Sequence, residues 1–199
     1  MAAFVEHEKR KQEILKKSLD LFIEEGYEDV TFQKIADRCG ITRTTLYIYF
    51  NNKREIFLWS IKQLTSNVEK ELMNIISNKD LNAIECLKNT INKIFDICEE
   101  NKQLFTVLLS YLIQLQKSGA DVNEKVTRRV IKIQHLLTIV ILRGQNNGEI
   151  KKNLSVKDIN DLLYSLMESA IFKLSVLDKK KLDNIRQTVN FTVDLIKEE

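Results

Sequence analysis

Residues 32–50 read Phe-Gln-Lys-Ile-Ala-Asp-Arg-Cys-Gly-Ile-Thr-Arg-Thr-Thr-Leu-Tyr-Ile-Tyr-Phe, an order of small, turn-forming and apolar residues that specifies two short helices crossing at a tight turn. Ala36 stands at the crossing, where a larger side chain would push the second helix away. Gly40 supplies the positive φ that a steep exit from the first helix needs. Ile35, Cys39 and Ile41 flank the turn as apolar anchors. Thr42 is placed to cap the second helix by accepting a hydrogen bond from a backbone N–H two or three residues on, and Leu46 and Phe50 then point into a core. The outer face carries Arg43, Thr44, Thr45, Tyr47 and Tyr49. Arginine matches guanine edges or phosphate, a threonine methyl matches thymine, and a tyrosine hydroxyl reaches phosphate oxygens, so this face suits a major groove. An ordinary pair of packed helices joined by glycine carries the same short pattern, since such pairs also occur in proteins that never touch DNA.

The surroundings extend the pattern. Residues 8–26 form an amphipathic helix with Leu15, Leu19, Phe22 and Ile23 on one face and Gly26 as its stop. Tyr27 follows, then Thr31 as the N-cap of the next helix. From Ile14 to Phe57 the blocks ILxxxLxLFxxxGY, TxxxIAxxxGI, TxxTLYxYF and NKREIF stand at fixed spacings. Together they resemble the N-terminal domain of the tetracycline-repressor (TetR) family. The resemblance implies a three-helix DNA-binding domain over residues 1–52, with Thr31, Thr42, Arg43, Thr44, Thr45, Tyr47, Tyr49 and Lys53 at the DNA. Arg43 and Thr44 are expected at base edges, and Thr31, Tyr47, Tyr49 and Lys53 at phosphates. Thr44 departs from the family, which usually has a small residue there, often glycine.

Charge and composition fit this reading. The net charge of +3 is too small to prove nucleic-acid binding, but Phe32 to Arg54 hold five cations (Lys34, Arg38, Arg43, Lys53, Arg54) against the single anion Asp37. Such a patch suffices, because counterion release scales with the contacts made. Proline is absent and glycine occurs five times, which favours long unbroken helices. No apolar stretch is long enough to span a membrane, and Met1 opens onto no apolar signal core, so a soluble cytoplasmic protein is expected. Cys39, Cys86 and Cys98 show no CxxC spacing, and His7 and His135 are isolated, so neither disulfides, a metal nor a cofactor is expected.

Residues 53–199 read as further helices, about nine in all, forming a ligand-binding and dimerisation domain in an all-α chain. Asn52 with Glu55 opens the fourth helix, which runs to about Ile76. Asp80 caps a helix to about Glu100, and another spans Gln103 to Lys117. Asp121 with Glu124 opens one that reaches Arg143, where Gly144–Ile150 forms a break. Ser155 with Asp158 opens the eighth helix and Asp178 the ninth. This layout also resembles the TetR family, including the GxxxGEI break.

On the last two helices Leu162, Leu166 and Ala170, and Leu182, Ile185, Val189, Val193 and Ile196, recur at spacings of three and four. Tyr164, Met167, Ile171, Phe191 and Leu195 add a second apolar face. Two such helices suit a four-helix dimer interface, as the family uses; the competing reading buries both faces in one monomer. The helix from Gln103 is apolar almost all round, with Thr106, Ser110 and Gln114 on one stripe that faces solvent or lines a cavity. Trp59, Phe95, Phe105, Tyr111, His135 and Glu168 are the candidate ligand contacts. Glu168 must be exposed, paired or ligand-bound, since an unpaired buried carboxylate is costly.

The expectation is therefore a transcriptional regulator, a repressor, that binds a pseudo-palindromic double-stranded DNA operator as a homodimer and is released by a small-molecule effector. A helix-turn-helix adaptor or activator acting through protein contacts is the alternative. No nucleophile–base set, GxGxxG, P-loop or metal spacing supports an enzyme.

Overall fold

A computed structural model of the chain describes the backbone of residues 2–119 and 123–198, and the side chains of residues 5–119 and 131–198. Among these residues the fold is all-α: α1 (Ala2–Glu25), α2 (Phe32–Cys39), α3 (Arg43–Tyr49), α4 (Lys53–Ile76), α5 (Ala83–Glu100), α6 (Lys102–Lys117), α7 (Asn123–Asn147), α8 (Val156–Ser175) and α9 (Asp183–Leu195). The expected cap at Asp121, like the Glu124 side chain, lies outside the described residues. No helix among those described is long and apolar enough to cross a membrane.

The chain divides into two compact units, Met1–Val68 and Glu69–Glu199. The expected boundary after Asn52 moves because Ile56, Phe57 and Ile61 of α4 are buried in the first unit's core with Ile14, Leu15, Leu21, Phe22, Tyr27, Val30, Leu46 and Phe50. Phe57 packs edge-on against Phe22 with centroids 4.9 Å apart, and lies 5.0 Å from Tyr27. Ser60 donates to the Leu15 carbonyl at 2.9 Å, so its buried hydroxyl is satisfied. Gly26 ends α1 at φ 85°, with its N–H on the Phe22 carbonyl.

In the second unit α5 is central. Leu87, Ile91 and Phe95 pack with Leu137, Val140 and Ile141 of α7, Leu163, Met167 and Leu174 of α8, and Ile185, Val189 and Val193 of α9. Arg186 of α9 pairs with Asp96 at 2.7 Å and with Glu99 at 3.4 Å. A bridge pairing Ile150 with Lys197 ties the chain's end to the segment after α7.

Three expected helix ends move. α5 starts from Asn82, which forms a reciprocal capping box with Glu85, and not from Asp80. α7 continues past Arg143 to Asn147, because Gly144 is buried within the helix; a Cβ there would lie 2.6 Å from both the Ala83 Cβ and the Ile150 Cδ1. The stop is Gly148, at φ 73°. α9 begins at Asp183, after Leu182, whose N–H donates to Glu99 at 2.8 Å. Asp178 instead pairs with Lys102. Ser155 caps α8 as expected, accepting from Asp158 N–H at 3.3 Å.

Candidate nucleic-acid interface

The turn between α2 and α3 is built as its residues dictate. Thr31 caps α2 by accepting from Lys34 N–H at 3.2 Å, and Thr42 caps α3 by accepting from Thr45 N–H at 3.1 Å. Gly40 sits in the left-handed region at φ 67°, and Ile41 N–H returns to the Ala36 carbonyl at 3.1 Å. Ala36 and Leu46 are fully buried.

The exposed side of α3 carries Arg43, Thr44, Tyr47 and Ile48. Arg43 donates to the Tyr47 hydroxyl at 3.2 Å, and the Tyr47 ring leans on Phe32 with centroids 4.6 Å apart. This chain of contacts fixes Arg43 on one shoulder of the helix. Thr45 is half-buried, its hydroxyl on that of Thr42. Tyr49, also half-buried, stacks on His7 of α1 at 4.7 Å. Thr31 and Thr42 are exposed at their caps.

Most of the expected basic patch is already engaged. Lys34 pairs with Glu25 at 2.6 Å, and Arg38 meets both oxygens of Glu24. The Arg38 bond holds the Glu24 carboxyl below its ordinary value, against a smaller upward push from burial. Lys53, expected at a phosphate, is engaged within the chain itself. Its ammonium donates to the carbonyls of Tyr27, Glu28 and Val30 at 2.9, 3.0 and 2.8 Å, committing all three N–H groups. It also lies 4.7 Å from the Tyr27 ring centroid. Lys53 therefore ties the start of α4 to the segment leading into α2.

Three residues at this face were missed in the sequence. Ile48 is 68% exposed, Gln33 is exposed beside Asp37 at 2.8 Å, and His7 stacks on the reading helix. A helical wheel of α3 places Ile48 opposite Leu46, so that signal was present; no local signal places His7.

None of the candidate ligand contacts lines the open clefts of the second unit described below. Trp59 belongs to the first unit, half-exposed between the ammoniums of Lys11 and Lys62 at 4.8 and 4.5 Å. His135 and Glu168 are exposed. Burial first, then the neighbouring Glu168 carboxylate, push the Tyr164 pKa up. Phe95 is sealed in the core with Arg186 over its ring, Tyr111 is buried and Phe105 half-buried. Two open clefts of about 440 and 310 Å³ in the second unit are lined by other residues, among them Lys88, Glu149, Asp194 and Lys197.

The candidate dimer residues also divide. Ala170, Leu182, Ile185, Val189, Val193 and Ile196 are buried inside the monomer, because this stripe packs into the core around α5. Leu166 is half-buried; Leu162 alone of the eight is exposed. The outward stripe is instead Leu162, Ser165, the half-buried Ser169 and Phe172 on α8, with Val176 at its C-terminal cap and Phe191 and Leu195 on α9.

Comparison with known proteins agrees with this architecture. The sequence model of bacterial regulatory proteins, tetR family, matches residues 14–58. The biofilm operon icaADBC HTH-type negative transcriptional regulator IcaR of Staphylococcus aureus (strain Newman) is 24% identical over 170 residues, 85% of this chain and 86% of the relative. A TetR transcription regulator from Haloarcula marismortui ATCC 43049 has a similar fold, with a TM-score of 0.84 at 19% identity over 96% of this chain and all of the other. The transcriptional regulator FadR of Bacillus subtilis, solved with stearoyl-CoA, gives a TM-score of 0.72 at 23% identity, covering 93% of this chain and 96% of its own. With their helix-turn-helix built by the family's motif, residues 14–58 carry the DNA-binding domain of the tetR family of bacterial regulatory proteins, and the helical layout of the chain is similar to that of solved TetR regulators.

Proposed function

We propose that the chain is a homodimeric repressor that binds a two-fold operator through α3 and releases it when an effector molecule carrying a long apolar chain binds the second unit. The observation that carries the reading is the outer surface of α3, where capped, rigid backbone presents Arg43, Thr44, Tyr47 and Ile48 away from the core. The Staphylococcus aureus relative is a negative regulator, which supports repression. The Bacillus subtilis structure with stearoyl-CoA supports a long-chain acyl effector.

α4 suits transmission between the two events. It begins at Lys53, which is locked to the segment before α2, and ends at Ile76, whose carbonyl accepts from Arg143 of α7 at 2.8 Å. A ligand that moves α7 thus acts on the end of α4. It can shift the DNA-binding state only by its preference between conformations, and a hundredfold loss of operator affinity needs about 2.8 kcal/mol.

The test is to select bound duplexes from a random pool and compare wild type with Arg43→Ala. Arg43→Ala is expected to cost about 1–3 kcal/mol and to relax one base pair per half-site. Binding that ignores duplex sequence and resists salt would favour an adaptor instead. Stearoyl-CoA titrated into the operator complex is expected to release it; equal affinity for free and DNA-bound protein would exclude that effector.

A further inference from the structure

We infer that the crest of α3, formed by the methyl groups of Thr44 and Ile48, reads thymine 5-methyl groups at two positions of each half-site. This rests on the DNA-reading function proposed above. At about 100° per residue, Thr44 and Ile48 straddle the direction opposite Leu46, which is fully buried. They therefore form the outermost ridge of the helix, with Arg43 and Tyr47 on one shoulder and Thr45 and Tyr49 on the other. Both shoulders are held: Arg43 on the Tyr47 hydroxyl, Tyr47 on Phe32, Thr45 on Thr42, and Tyr49 on His7. The crest is what such a helix inserts deepest.

Ile48, at 68%, is the most exposed large apolar side chain among the described residues. It has no donor or acceptor, so at a base edge it makes only apolar contact, and the apolar group of the major groove is the thymine C5-methyl. Thr44 brings a second methyl one helical turn earlier. The two lie about 6 Å apart along the axis, close to two base steps of about 3.4 Å, so the crest spans two readable positions.

Deoxyuridine removes the 5-methyl and nothing else, which gives a direct test. Each thymine of the selected half-site is replaced in turn, and binding is measured with the full chain. Wild type is expected to lose about three- to fivefold at two positions, the worth of one methyl-sized group left unburied. Ile48→Ala should abolish the loss at one of them, and Thr44→Ser, which keeps the hydroxyl, at the other. Wild-type protein that selects a sequence yet ignores every deoxyuridine overturns the inference and leaves DNA reading intact. Failure to select any duplex removes both. The wild-type arm needs no variant, so folding of the variants does not decide the outcome.

Discussion

Lys53 changes the account of the interface more than any other single residue. A lysine beside a reading helix invites assignment to phosphate, but its three N–H groups are taken by the Tyr27, Glu28 and Val30 carbonyls. Those carbonyls lie beyond the end of α1, and without the ammonium they would lose a charge-assisted partner. Lys53→Met is expected to lower stability by about 1–3 kcal/mol, read as a fall in thermal midpoint. The salt slope of operator binding should hold, whereas a phosphate contact would lower it by about one unit. Residues with local partners were legible in the sequence: Thr31, Thr42 and Gly40 act on backbone within a few positions. Lys53, Lys34 and Arg38 were not, because Glu24, Glu25 and the carbonyls they meet are distant in the chain. Cys98 shows the same limit, its thiol pushed up to about 12 by burial, which makes it inert packing.

At the scale of elements, the type and order of the helices were readable from apolar periodicity, and their ends less so. Gly144 looked like a terminator, yet it is where α7 passes closest to Ala83 and Ile150. Only tertiary contact separates a helix-ending glycine from one that admits a neighbour. Gly144→Ala is therefore expected to destabilise despite the roughly 1 kcal/mol that alanine contributes to a helix, because a Cβ at 2.6 Å forces the packing apart at about 1–3 kcal/mol. A denaturation midpoint above that of wild type would refute the close approach.

The start of α9 makes the same point with charge. Burial pushes the Glu99 carboxyl up, but the Leu182 N–H, Lys181 and Arg186 outweigh it and hold the group below its ordinary 4.5. The stability it contributes is complete above that value and is lost as pH falls through the lower folded value. Glu99→Gln should melt earlier at neutral pH and lose less on acidification below about pH 5, which thermal scans across pH will read.

Across the whole molecule, assembly is what turns one reading helix into a specific regulator. The periodic stripe through Val189 looked like the seam, but periodicity reports a face that is buried and not what buries it. Val189 is fully enclosed, while Phe172, Phe191 and Leu195 are more than half exposed. Along α8 and its cap the outward residues Leu162, Ser165, Ser169, Phe172 and Val176 alternate spacings of three and four, with two serines at the centre, small enough for two helices to approach closely. A second copy applied by a two-fold axis would cover this face with its own equivalent, and two α3 helices could then address major grooves about 34 Å apart or somewhat more. Phe191→Glu should therefore give a folded monomer, with helical signal and melting retained, whereas Val189→Glu should not fold. With the second reading helix no longer tethered, operator affinity should fall on the order of a hundredfold or more toward that of a single half-site. Light scattering and operator titration of the same sample decide it: a Phe191→Glu protein that stays dimeric places the seam elsewhere, and a wild-type chain that is monomeric at micromolar concentration removes the two-fold operator with it.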